Sequence, residues 1–96
     1  MKLTWATTAR DDLIHIRRYI ARFHPVAAGR VAARILEVAE LLPRQLGTRT
    51  HLADIRRLVV HATPYILYYR LGAESIEILE VFDGRREAPR NLSDEE

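Results

Sequence analysis

The apolar residues of this 96-residue chain change from helical to strand spacing close to residue 50, and that change restricts the folds open to it. Before it, Leu13, Ile16, Ile20 and Phe23 recur at helical steps, and so do Ala28, Val31, Ala32, Ile35, Ala39 and Leu42. That is the pattern of helices with one buried face. After it, "IRRLVV" (55–60), "YILYYRL" (65–71) and "SIEILEVF" (75–82) are rich in the branched and aromatic residues that suit strands. A run of helices followed by a run of strands implies an α+β layer arrangement.

The breakpoints sharpen this reading. "KLTW" (2–5) alternates as a short strand, and Thr8 with Asp11 resembles a capping box opening a helix from about 9 to 23. His24-Pro25 breaks that helix and suits the first turn of the next, which Pro43 and Gly47 end. Two helices with so short a connection are expected to pack as an antiparallel hairpin. "RQLGTRTHLAD" (44–54) reads as a polar loop, and "HATP" and "GAE" read as turns between strands. Tyr65, Leu67, Tyr69 and Leu71 share one face of the middle strand, while Ile66, Tyr68 and Arg70 share the other. The last strand carries aliphatics on both faces, which suggests a central position. The expected architecture is an N-terminal strand, a helix hairpin and a three-stranded antiparallel meander. The hairpin would cover one face of a four-stranded sheet.

Composition removes several function classes. The length supports one domain over residues 1–96, with about 88–96 as a flexible C-terminal arm. A chain that is 48% hydrophobic and 29% charged is globular rather than disordered. There is no cysteine, which excludes disulfides and thiolate metal sites. No segment is long and apolar enough for a signal peptide or membrane span, so a cytoplasmic location is expected. Neither a metal nor a cofactor is expected. Net charge is only +2, and Lys2 is the sole lysine, so the cations are almost all arginine, with its planar fork of donors. That excess is too small to predict nucleic-acid binding by itself.

One stretch does not read as packing. In "EVFDGRREAPRNL" (80–92) a strand runs into Asp83-Gly84 and then two adjacent arginines, which are almost never buried unpaired. Arg85 and Arg86 are therefore candidate contacts, with Arg90 following on the arm. A solvated pair bridged to Asp83 or Glu87 is the plainer alternative. Tyr65, Tyr68 and Tyr69 could stack bases, but alternation splits them between faces and favours packing. Trp5 reads as core beneath the helices. His15, His24, His51 and His61 titrate in a useful range but fall in four different elements.

The stretches "RDDLIHIRRYIARFHPVAAGRVAARI" (10–35), "RRLVVHATPYILYYRL" (56–71) and "IEILEVFDGRRE" (76–87), in the order β-α-α-β-β-β, resemble the RelE/ParE toxin superfamily. The resemblance is closest to the ParE branch of type II toxin-antitoxin systems. It implies one of two activities. RelE-like members are ribosome-dependent messenger-RNA endoribonucleases, whose metal-free chemistry needs a base, cations and an acid. Arg86 falls where a RelE-like arginine follows the last strand. Ile66, however, stands after Tyr65 where that branch has arginine, and Arg57 and Val59 replace its lysines. Leu92 takes the place of its C-terminal tyrosine. A ribonuclease here would be left with Arg57, His61 and Arg86.

ParE-like members are implied to inhibit DNA gyrase by binding, without cutting anything, and no catalytic residue is then required. Arg85, Arg86 and Arg90 would be the target contacts. Asp83 departs from the histidine found there in many relatives. The resemblance also implies a cognate ParD-like antitoxin that wraps the toxin in a hetero-oligomer. Ile14, Tyr19 and Val38 are apolar and off the main stripes, so they are candidates to line its groove, unless they simply widen the core-facing stripe. A member that binds antitoxin but is not toxic is a further alternative.

Overall fold

The computed structural model describes residues 2–42, 48–50 and 54–85. Its elements in chain order are β1 (Lys2–Trp5), α1 (Thr7–Ala21), α2 (Pro25–Glu40), β2 (Thr48–Arg49), β3 (Ile55–Val59), β4 (Tyr65–Leu71) and β5 (Ser75–Asp83). The strands form one mixed sheet in the order β1-β5-β4-β3-β2. β1 runs parallel to β5, and the other neighbours are antiparallel. The α+β architecture, the helix hairpin and the meander are as the sequence predicts.

The sheet has five strands rather than the expected four, because β2 lies inside the stretch read as loop. Two polar residues are too few to show alternation. Their strand character comes from pairing, with Thr48 opposite Arg57 and Arg49 opposite Arg56. Thr50 then closes the turn, its hydroxyl donating to the Ile55 carbonyl at 2.9 Å.

The expected capping box does not form. α1 starts at Thr7 with Ala6 as its cap, and no side chain caps it. Thr8 lies within the helix and its hydroxyl donates to the Leu79 carbonyl at 3.1 Å. A tertiary partner has taken the group that a local cap would use. At its other end α1 stops at Ala21, so Phe23 leaves the apolar stripe and is 66% exposed. Proline disfavours helical geometry in the residue before it, and His24 is accordingly extended, with φ −148°. Phe23 instead meets Tyr19 edge-on at 5.5 Å between ring centres.

α2 follows its pattern closely. Pro25 stands in the first turn, and Ala28, Ala32, Ile35 and Ala39 are buried, with Leu42 just beyond. Small residues on this stripe let the hairpin sit close to its neighbours. Tyr65, Leu67 and Tyr69 of β4 join Ile35, Ala39, Leu42, Ile76, Ile78 and Val81 in the core. Burying each of the leucine, isoleucine and valine side chains stabilises the fold by about 1.5–3 kcal/mol before entropy is counted.

β5 explains its own double-faced appearance. Tyr68 pairs with Glu80 but Tyr69 pairs with Ile78, so Leu79 is an extra residue in the ladder. Such a bulge reverses the alternation beyond it. Ile76, Ile78 and Val81 therefore all reach the core under the helices. Phe82 lies on the opposite face, where it meets Tyr68 edge-on at 6.2 Å. β5 is an interior strand, as its composition suggests, but part of its two-faced pattern is a change of parity.

Candidate functional site

β1 has four residues and β5 has nine, so β5 continues past its partner. The Ala6 N–H still donates to the Ile78 carbonyl at 2.8 Å. Beyond that point α1 supplies the missing partners: the Thr8 hydroxyl serves Leu79, and the buried Asp12 carboxylate accepts the Val81 N–H at 3.1 Å. Polar groups are thereby drawn to this end of the sheet. They border a hollow of about 620 Å³ lined by Asp11, Asp12, His15, Tyr19, Tyr65, Asp83 and Arg85, among others.

Arg85 sits at its mouth and is held there. Asp83 Oδ1 accepts the Arg85 backbone N–H at 3.0 Å and Nε at 2.9 Å, and Asp83 Oδ2 accepts Nη2 at 2.8 Å. The guanidinium side chain is nevertheless 65% exposed. Its hydrogen bonds to Asp83, and then the charge of Asp83, push its pKa up, so it stays protonated. Gly84 links the two residues. The turn does not use a positive φ at this glycine. The reason for glycine is proximity: a Cβ there would lie 2.9 Å from the Pro64 carbonyl oxygen, which accepts the Gly84 N–H at 2.8 Å. Arg86 and Arg90, and the expected C-terminal arm, lie outside the described residues.

Of the ribonuclease candidates, Arg57 and His61 do not line this hollow. Arg57 is on β3 beside Tyr68, on the sheet face away from the helices. Ile66 shares that face, buried between Val59 and Phe82 as its ladder neighbours. His61 is exposed in the β3–β4 turn, where Ala62 adopts φ 68° and Thr63 Oγ1 donates to the Val60 carbonyl at 2.8 Å. Among the described histidines, His15 alone borders the polar hollow. His51 lies outside the described residues. No cluster of His, Cys, Asp and Glu suited to a metal occurs among the described residues.

A second hollow of about 490 Å³ opens beside β1, which forms one edge of the sheet. Leu3, Trp5, Leu13 and Leu36 line it, with Thr4 and Arg10. Leu36 is 45% exposed, and Trp5 is half-buried against the core rather than sealed within it. The apolar residues singled out from sequence are distributed differently. Ile14 is exposed, Tyr19 borders the polar hollow, and Val38 packs partly on the core. Sequence reasoning missed Leu3, Leu13 and Leu36 as groove residues. Leu3 and Leu36 carry the one usable signal, apolar positions outside the helical stripes on which the reading rested.

With this geometry in hand, residues 3–88 match the family of ParE toxins of the type II toxin-antitoxin system parDE. The chain belongs to the ParE toxin family. Toxin RelE2 of Caulobacter vibrioides is 34% identical over 82 residues, covering 83% of this chain and 91% of that protein. Y4kP of Sinorhizobium fredii is 32% identical over 93 residues, covering 95% of this chain and 96% of that protein. The toxin fold is shared with a chain of the chromosomal ParDE system of P. aeruginosa, at TM-score 0.79 and 23% identity. That match covers 86% of this chain and 95% of the other. This ParE-family chain is thus a toxin of a type II toxin-antitoxin system, a class that implies an antitoxin partner. No helix among its described residues is long and apolar enough to cross a membrane.

Proposed function

We propose that this toxin acts by binding a bacterial type II topoisomerase, with DNA gyrase as the expected target, and that it cuts nothing itself. The observation that carries the reading is Arg85, a permanently charged and largely exposed side chain held at the rim of a polar hollow by Asp83. Binding needs exposed, oriented contacts, whereas phosphodiester cleavage needs a base, an acid and cations within reach of one another. Arg86 and Arg90, which follow Arg85 in the chain, are the further candidate contacts. A target of this kind places the toxin's action in the cytoplasm.

The antitoxin is proposed to seat an apolar segment in the groove beside β1, using Leu3, Trp5, Leu13 and Leu36. Exposed apolar surface next to a sheet edge suits a helix or an added strand. Ile14, Tyr19 and Val38 are kept as outer contacts of that wrapping partner.

The runner-up is a ribosome-dependent ribonuclease using Arg57, His61 and Arg86. It is favoured by the likeness to a relative named RelE2 and by Arg57 on the outer sheet face. Against it, buried Ile66 withholds a cation from that same face. The deciding measurement pairs a gyrase supercoiling assay with translating ribosomes, both given antitoxin-free toxin. Loss of supercoiling with intact messenger RNA is expected. Position-specific RNA cuts with gyrase unaffected would overturn the proposal, and inactivity in both assays with no growth arrest would mark a non-toxic, antitoxin-binding protein.

A further inference from the structure

We propose that Asp83 is a positioning residue for Arg85, fixing the guanidinium so that its remaining N–H donors meet the target in one orientation. This rests on the reading of Arg85 as a target contact. Asp83 is itself well anchored. It is the last residue of β5, paired with Tyr65, and its side chain is only 23% exposed. From that fixed point it accepts three hydrogen bonds from Arg85, one from the backbone and two from the guanidinium. The two side-chain bonds occupy Nε and one position on Nη2. Nη1 and the other hydrogen of Nη2 face the opposite way, outward from the carboxylate.

Two effects of Asp83 oppose one another. Its charge cancels that of Arg85 and weakens long-range attraction to an acidic surface. Its grip removes rotamer freedom that an isolated arginine would lose only on binding. The first effect is screened within about 8–10 Å at physiological salt. The second is not screened, and ordering one long side chain in advance is worth roughly 3- to 10-fold in affinity. At direct contact the carboxylate lies well inside that length, so the sign of the Asp83→Ala effect decides between the two. A lysine cannot replace the arginine, because a point charge does not engage both carboxylate oxygens and still present a defined outer edge.

The test compares wild type, Asp83→Asn, Asp83→Ala, Arg85→Lys, Arg85→Ala and the Asp83→Ala/Arg85→Ala double variant, each as the full chain. Three readouts are taken: the expression level that arrests growth, half-inhibition of gyrase supercoiling, and antitoxin binding with thermal stability as the folding control. Arg85→Ala is expected to lose ten-fold or more in potency. Asp83→Ala and Arg85→Lys each lose roughly 3- to 10-fold, Asp83→Asn less, and the double variant no more than Arg85→Ala alone. Antitoxin binding stays unchanged throughout. That non-additivity is the signature of one residue acting through the other, and a purely structural role would not produce it.

If Arg85→Ala loses potency while Asp83→Ala keeps or gains it, Asp83 only tempers the charge and the positioning role is overturned. Should Arg85→Ala arrest growth as well as wild type, the contact and its positioning both fall. The same ranking of variants in growth arrest, with gyrase unaffected, would uphold positioning and remove gyrase as the target.

Discussion

The two hollows beside α1 share a helix and a sheet yet differ in character. Beside β1 the lining is Leu3, Trp5, Leu13 and Leu36 with Thr4 and Arg10; beyond the end of β1 the charged groups Asp11, Asp12, Glu80, Asp83 and Arg85 join His15 and two tyrosines, with Ile16, Val81 and Phe82 between them. The cause is a mismatch in strand length. Where β1 runs along β5, backbone groups satisfy one another and the side chains above them can be apolar. Where β1 has ended, backbone groups of β5 must be met by side chains, and only polar ones can do it. The buried carboxylate of Asp12 in the candidate target site is therefore a consequence of how the sheet is closed. Because the two linings share no residue, the two sites are expected to respond separately to substitution.

The sharpest way to break that separation is Leu36→Asp. A charge in the apolar groove is expected to weaken the antitoxin complex about 100-fold, or roughly 2.7 kcal/mol, by calorimetry. Toxicity of the variant should match wild type, because Leu36 and Arg85 line different hollows with no residue in common. Equal loss of both properties would mean that the hollows are one site.

Next in size is Asp12→Ala, which addresses why the second hollow is polar. It leaves the Val81 N–H without its carboxylate at a buried position, a loss of about 2 kcal/mol in urea unfolding. Asp12→Asn keeps an acceptor oxygen and should lose less than half as much. Should Asp12→Ala unfold at the wild-type urea concentration, side-chain closure of the β5 edge is not what holds this region.

Gly84→Ala is expected to cost about 1–2 kcal/mol, since its Cβ would meet the Pro64 carbonyl at 2.9 Å and the backbone must shift. Because that shift moves the Asp83–Arg85 turn, potency should fall as well, while antitoxin affinity holds. An alanine variant with unchanged potency would show that the turn tolerates movement and that Arg85 is not finely placed.

These effects also show what sequence alone could and could not reveal. The α2 stripe was legible because Ala28, Ala32, Ile35 and Ala39 obey one period over the whole helix, and the β4 tyrosines because strict alternation assigns each a face. Three features escaped for a common reason: long-range partners overrode local rules. Thr8 abandoned its cap for Leu79, seventy-one residues away in the chain. Thr48 and Arg49 became a strand through β3, and the Leu79 bulge reversed the parity of β5. At the candidate site, Arg85 was legible as a surface cation, but the grip of Asp83 was visible only as one of two possible ion pairs. The apolar groove was legible as a need of the fold, not in its lining. Leu36 follows stripe residue Ile35, and its apolar side chain off the stripe is a sign of a groove residue but does not say that Trp5 lies beside it.

The smallest effect expected is a gain, and it lies on a face belonging to neither hollow. Gly29 is in the first half of α2, and a Cβ there would meet nothing within 4 Å. Its φ is not in the left-handed region, so alanine can adopt the same backbone without strain. Glycine in a helix loses more chain entropy on folding than alanine, so Gly29→Ala should raise stability by about 0.5–1 kcal/mol in urea unfolding. Potency and antitoxin affinity should not move, since neither hollow includes this residue. A fall in antitoxin affinity with stability raised would extend the docking surface from the β1 groove to the start of α2, and a fall in potency would place target contacts on the hairpin as well as at Arg85.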